Sequence, residues 1–384
     1  MLRIPVEPSL IQWARARSRR DDSEFTRRFP MLLAWELGEV KPTWRQLNDF
    51  ANFTHTPVGY LLLQSPPTDH LPIPDLRTIA DRGVREPSPD LLDTIYLCQQ
   101  RQDWYIDFAT SRGLPGSPVV RSVTDSELPR PEDAANDVRQ VIGFDVEERR
   151  TARTWEDALR SMRSKIETAG VLVMISGIVG SNTHRPLDVE EFRGFTLTDP
   201  LAPLIFVNGK SSKSAQMFTL AHELGHVYLG QSGVSDADTR TFPAHRIEQW
   251  CNQLAAELLV PMSHLHKLIE PRESIPEAIR RLARAFKVST VVILRRLHEA
   301  GRLNRDEFWR EHAIEVERLA ALQRDEPGGD YYRTQPARVG RRFAQAIIID
   351  ALEGRTLFRD AFKLLGVRTT ATFNELALRL GIDA

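Results

Sequence analysis

Two histidines four residues apart, His222 and His226, with Glu223 between them, constrain this chain more than any other feature. On an α-helix, residues i and i+4 lie one turn apart on one face, so both imidazoles can grip one metal ion. Glu223 is rotated about 100° from His222. It can lean over the same face towards a water activated by the ion. Zinc lowers the pKa of such a water, and a nearby carboxylate takes its proton as hydroxide attacks a carbonyl. The flanking residues predict the helix, over Ser211–Gly230: the start is serine-rich and Gly230 suits a stop. Met217, Leu220, Ala221, Leu224 and Tyr228 form its apolar stripe. The histidines then occupy another face, expected to open onto a cleft.

A catalytic zinc takes three protein ligands and leaves one position open. The third is expected from the next helix, predicted over Arg246–Leu259 and halted near Pro261. Glu248 and Glu257 are the candidates, with His245, His264 and His266 nearby. The glutamates are nine residues apart, about 900° of rotation, and so face opposite sides. Glu248 is preferred because Asn252 follows one turn later and can orient a ligand. Glu257 stands as the alternative. His245 is a candidate oxyanion donor. Cys251 reads as packing.

Strands are expected immediately upstream, at Val171–Ile175, Phe195–Thr198 and Leu204–Val207, with Asp199, Pro200 and Pro203 as the turn between the last two. An extended substrate segment is expected to add to the sheet edge near Leu204–Val207. Other helices are expected at Pro131–Ile142, Thr154–Ala169, Ile279–Phe286 and Thr290–Ala300. Residues 1–65 read as short helices and Ser65–Pro74 as an extended, proline-rich linker. Residues 90–112 read as a helix burying Leu91, Ile95, Cys98, Gln102 and Tyr105. Asp325–Asp330 reads as a polar linker before a tail of two or three helices.

Composition narrows the class. The 384 residues are 41% hydrophobic and 27% charged, with net charge −1, which argues against wholesale coating of nucleic acid or adhesion to membranes. No stretch approaches 18 uncharged apolar residues, so no membrane span is expected. Two distant cysteines, Cys98 and Cys251, and the lack of a signal pattern at the N-terminus point to a reducing cytoplasm.

Phe218–His226, together with Glu248–Pro261, resembles the ImmA/IrrE metallopeptidases, and Phe206-Val207-Asn208 matches their strand before the first helix. The resemblance covers roughly 155–300. It implies an α+β fold, a zincin-like core with a short sheet between helical N-terminal and C-terminal modules. It also implies a Zn²⁺ centre ligated by His222, His226 and Glu248, with Glu223 as catalytic base. Residues 132–310 are assigned to this core, 66–131 to a linker and helical connector, and 325–384 to a helical extension. The extension, with Tyr331–Thr334, Gly340–Phe343 and Ala361–Val367, is similar to that of the longer fused members.

Residues 1–65 resemble a degenerate XRE-type helix-turn-helix, through Ala34–Thr43 and then Leu47, Phe50, Ala51 and Pro57. The span from Ala14 to Trp35 is short for two helices and their turn, so weak DNA binding is expected. Arg15, Arg17, Arg19 and Arg20 are the candidate phosphate contacts. The resemblance implies a site-specific endopeptidase that cleaves a repressor or antitoxin and so regulates gene expression. Its rival is an antitoxin and DNA-binding regulator that neutralises a PIN-type ribonuclease toxin, with the metal site structural or vestigial.

Overall fold

Helix and strand periodicities segregate along the chain, and the computed structural model shows what each face meets. It describes residues 3–68, 70–76, 86–121, 123, 127–235, 245–322 and 338–382. The Asp325–Asp330 linker and Tyr331–Thr334 lie outside these residues. The chain divides into two units. The first comprises Met1–Pro72 and Arg82–Ile95, the second Ile73–Asp81 and Tyr96–Ala384.

The first unit contains α1 (Pro8–Arg17), α2 (Asp22–Arg28), α3 (Leu32–Glu36), α4 (Trp44–Phe53) and a 3₁₀ turn at Val58–Leu62. Thr43 and Gln46 start α4 with a reciprocal capping box, each side chain accepting the other residue's backbone N–H. Phe25, Phe29, Trp35 and Phe50 stack edge to face around a core completed by Leu10, Ala14 and Leu47. The segment between α1 and α4 thus forms helices of only seven and five residues. The arginines of the cluster are engaged within the unit. Arg15 donates to both oxygens of Glu36 and to Asp22. Arg17 lies over the Trp13 ring, Arg19 donates to the Glu86 carbonyl, and Arg20 pairs with Glu24 over Phe53.

Helix α5 (Pro89–Ser111) buries Leu91, Ile95, Cys98, Gln102 and Tyr105, the face its spacing predicts. The second unit continues with α6 (Pro131–Ile142), α7 (Val146–Arg150) and α8 (Trp155–Thr168). Next come β1 (Leu172–Ser176), β2 (Gly194–Leu197), β3 (Leu204–Asn208), α9 (Lys213–Leu229), β4 (Gly233–Ser235) and α10 (Arg246–Leu259). Helices α11 (Met262–Leu268), α12 (Ile275–Phe286), α13 (Thr290–Glu299) and α14 (Arg305–Leu322) follow. After the undescribed stretch come α15 (Arg341–Leu352), α16 (Phe358–Leu365) and α17 (Thr370–Arg379). The result is a mixed α+β fold, with a four-stranded sheet among the described residues and helices packed around it. No helix among the described residues is long and apolar enough to cross a membrane.

The strand order is β1-β3-β2-β4, with β1 parallel to β3 and the other pairs antiparallel. Asp199 shapes the β2–β3 turn by accepting the N–H groups of Leu201 and Ala202. Gln102 of α5 clamps the same turn, donating to the carbonyls of Leu197 (3.0 Å) and Ala202 (2.8 Å). Because β3 has hydrogen-bonded neighbours on both sides, Leu204–Val207 offers no edge to a substrate. That expectation is therefore corrected: a strand in mid-sheet has spent its N–H and C=O groups.

Helix α9 packs on β2 and β3 with one side and on α8 and α10 with others, and every residue from Gln216 to Leu229 is buried. A helix covered all round needs neighbours that approach closely. Gly225 provides this: a Cβ there would stand 3.1 Å from Cys251 Sγ and 3.4 Å from its Cα. The tail joins the same unit. Helix α15 packs on β1, and Arg342 donates to the Tyr105 hydroxyl at 2.7 Å. Gly225→Val should destabilise the protein by about 1–3 kcal/mol, the usual cost of overfilling a core, despite valine's better helix propensity. Urea denaturation checks this, and an unchanged midpoint would show that α9 and α10 have room to spare.

Candidate metal centre

His222 and His226 project from α9 onto α10, where Glu248 meets them from the first helical turn. His222 Nε2 is 3.2 Å from Glu248 Oε2, His226 Nε2 is 3.1 Å from Glu248 Oε1, and the two Nε2 atoms are 3.2 Å apart. A tetrahedral ion with bonds of about 2.0–2.1 Å spaces its ligand atoms by roughly 3.3 Å, close to the separation of the two Nε2 atoms, and each of these faces one oxygen of the Glu248 carboxylate. Among the described residues this is the histidine, cysteine and carboxylate group that could hold a metal.

The donor chemistry fits as well. His222 Nδ1 lies 2.9 Å from Asn252 Oδ1, an acceptor, which places the ring proton on Nδ1 and leaves the Nε2 lone pair facing the cluster. All three side chains are essentially inaccessible, and Glu248 Oε1 has no hydrogen-bond donor. Burial works against charge on each group. For His222 the Glu248 carboxylate overcomes that and raises its pKa; Glu248, facing both imidazoles, is held well below the ordinary carboxylate range. A cation between the rings and the carboxylate would offset the burial of that charge.

Glu223 is fully buried one position beyond His222. Thr196 of β2 donates to its Oε2 at 2.7 Å, and Ser235 of β4 donates to its Oε1. Burial raises its pKa, with His226 and His222 pulling the other way. Gly194 lets β2 approach: a Cβ there would stand 2.7 Å from Glu223 Oε1 and 2.8 Å from Thr219 Cγ2. Gly194, Thr196 and Ser235 escape the sequence reading. The one available signal is a glycine inside an apolar strand pattern, which marks close approach of another group.

The other candidates fall elsewhere. Glu257 faces away, as its rotation requires, and is ion-paired with Arg296 while accepting the Met262 N–H. His245 is the exposed N-cap of α10, and His264 and His266 lie on α11. Cys251 is buried and its thiol is pushed up by burial first and then by Glu248; Cys98 is likewise pushed up to about 12 by burial. His222 and His226 are fully buried, contrary to the cleft expected above them, and Glu248 of α10 faces both. A cavity of about 240 Å³ lies beside Asn252, walled by Phe218, Ala256, Val292 and Phe308.

Residues 167–298 match the metallopeptidase family of IrrE N-terminal-like domains, and residues 339–379 match a domain of unknown function. The chain is similar to the radiation response metalloprotease IrrE of Deinococcus radiodurans, 31% identical over 106 residues. That likeness covers 26% of this chain and 32% of the relative, so the chain matches about a third of the relative's length. A domain of this family implies a metal ion, and the buried His222–His226–Glu248 group is where this chain offers ligands.

Metal analysis after dialysis should give one bound ion per chain for the wild type and for Glu257→Gln, and a large loss for Glu248→Gln. Asn252→Ala should weaken affinity by about 10–100-fold, the usual effect of losing a partner that orients a ligand. Retention in Glu248→Gln with loss in Glu257→Gln would reverse the assignment.

Proposed function

We propose that this protein is a zinc-dependent endopeptidase with a zincin-like core, and that it cuts one partner protein, a repressor or antitoxin, to regulate gene expression. The observation that carries the reading is the conjunction of two buried imidazoles and a buried carboxylate that face one another, with a second buried carboxylate, Glu223, next to His222 on the same helix. Two imidazoles and one carboxylate are a donor set typical of hydrolytic zinc, which leaves a position open for water or substrate. Zinc held there would supply Lewis acidity towards a water and a scissile carbonyl.

The chain's own residues do the rest. Asn252 keeps His222 in the tautomer whose Nε2 can donate its lone pair. Glu223 accepts the proton of the attacking water as the new C–O bond forms. It then passes that proton to the leaving nitrogen as the C–N bond breaks. Its raised pKa suits both directions of transfer. Thr196 aims the carboxylate from β2. The cavity beside Asn252, lined by Phe218, Val292 and Phe308 and also by Arg295, His298 and Glu299, can accept a side chain of the substrate.

The first unit is assigned partner selection, with DNA contact through a degenerate helix-turn-helix at most weak. Its α2 and α3 are short, and Arg15, Arg17, Arg19 and Arg20 are engaged within the unit. Such a protein would work in the cytoplasm.

Cells expressing wild type should gain new termini in one or a few proteins when compared with cells expressing Glu223→Gln. The variant should keep its zinc and lose cleavage by about 10²–10⁴-fold, the range for removal of a general base. Cleavage by Glu223→Gln at the wild-type rate would sink the mechanism, and scattered cleavage across many proteins would refute a single partner.

A further inference from the structure

The outer edge of β4 is already taken. Val234 donates its N–H to the Pro74 carbonyl and accepts the Leu76 N–H, both at 2.9 Å. Asp75 thereby pairs with Val234 as a parallel bridge. The inner edge of β4 pairs with β2 through Gly233 and Ser235. A strand of three residues is thus held from both sides, and its middle residue would otherwise present an unpaired N–H and C=O. The side chains interlock too. A Cβ at Gly233 would stand 2.5 Å from Leu76 Cδ1 and 2.9 Å from its Cγ, so Leu76 occupies the space that a residue with a side chain would need.

The consequence reaches the centre. Ser235, next to Val234, donates to Glu223 Oε1 while Thr196 holds Oε2, and Glu223, His222 and His226 are all inaccessible. No peptide carbonyl can reach ligands buried in this way, so cleavage requires an element to move. Strand β4, three residues at the sheet margin, reaches the buried Glu223 through Ser235. The segment Ile73–Asp81 belongs to the second unit but is flanked in sequence by Met1–Pro72 and Arg82–Ile95 of the first.

We propose that Pro74–Leu76 is an internal strap that locks β4, and through Ser235 the general base, in a closed centre. The inference rests on the peptidase reading and deepens it. Departure of the strap loosens β4, uncovers Glu223 and the two histidines, and leaves the N–H and C=O of Val234 for an extended segment of the protein substrate. Gly233 then favours an aliphatic, leucine-like side chain on that segment, because Leu76 fills the same space.

The test is a footprint of the chelator-treated full-length chain with diethyl pyrocarbonate, read by peptide mass spectrometry. In the wild type, His222 and His226 should label far more slowly than exposed His245. Leu76→Asp, which removes the interlock, and Gly233→Ala, which expels it, should each speed His222 and His226 by at least tenfold. His245 and His298 should label at unchanged rates, and unchanged helicity separates opening from unfolding. Amide exchange at Leu76 and Val234 reports whether the strap has left. Wild-type labelling of His222 and His226 in a variant whose strap has left overturns the proposal. The footprint needs neither cleavage nor bound metal, so its failure is distinct from failure of the peptidase reading.

Discussion

The contact between α9 and α10 at Gly225 is the constraint on which the rest depends. With no side chain at 225, the backbone of α9 lies against Cys251 of α10. At that spacing Glu248 reaches both His222 and His226, and one turn on Asn252 reaches the far side of the His222 ring. A wider spacing would leave a carboxylate and two imidazoles buried without partners, which costs several kcal/mol per charged group. The metal centre and the helix packing are thus one solution to one problem. The three side chains can be buried because they face each other.

The sheet serves the same helix from the other side. Strands β2 and β4 bring Thr196 and Ser235 to the two oxygens of Glu223, and Gly194 lets β2 come close enough. The two hydroxyls fix the direction of this carboxylate, and burial raises its pKa. Closure follows from the same economy of space. The same packing leaves Glu223, His222 and His226 without exposure to solvent.

Much of the centre was legible because its information is local. His222 and His226 declare their shared face by helical spacing alone, and the nine-residue gap places Glu248 and Glu257 on opposite sides of α10 without any tertiary knowledge. Strands β1, β2 and β3 showed as apolar runs with a proline-bearing turn. What escaped was carried by pairing between distant segments. Thr196 and Ser235 approach Glu223 only through sheet register. Strand β4 is three residues long, too short for a periodic signal. Helices α7 and α14 are rich in charge, which hid their buried positions. Ser65–Pro74 read as an extended linker, and its end is extended; that Asp75 meets Val234 could not be seen without the fold. The cleft expected above the histidines failed for a related reason. An amphipathic stripe shows which face is apolar and does not show what covers the polar one.

X-ray absorption at the metal edge of the purified protein tests the central claim most directly. The account predicts zinc with a first shell of nitrogen and oxygen only, at about 2.0–2.1 Å, in which two imidazoles contribute their outer-ring scattering. A sulfur scatterer at about 2.3 Å would place Cys251 in the shell, and a shell with fewer than two imidazoles would contradict the pairing of His222 with His226. Either result would remove the basis for Glu248 as third ligand and for Glu223 as base.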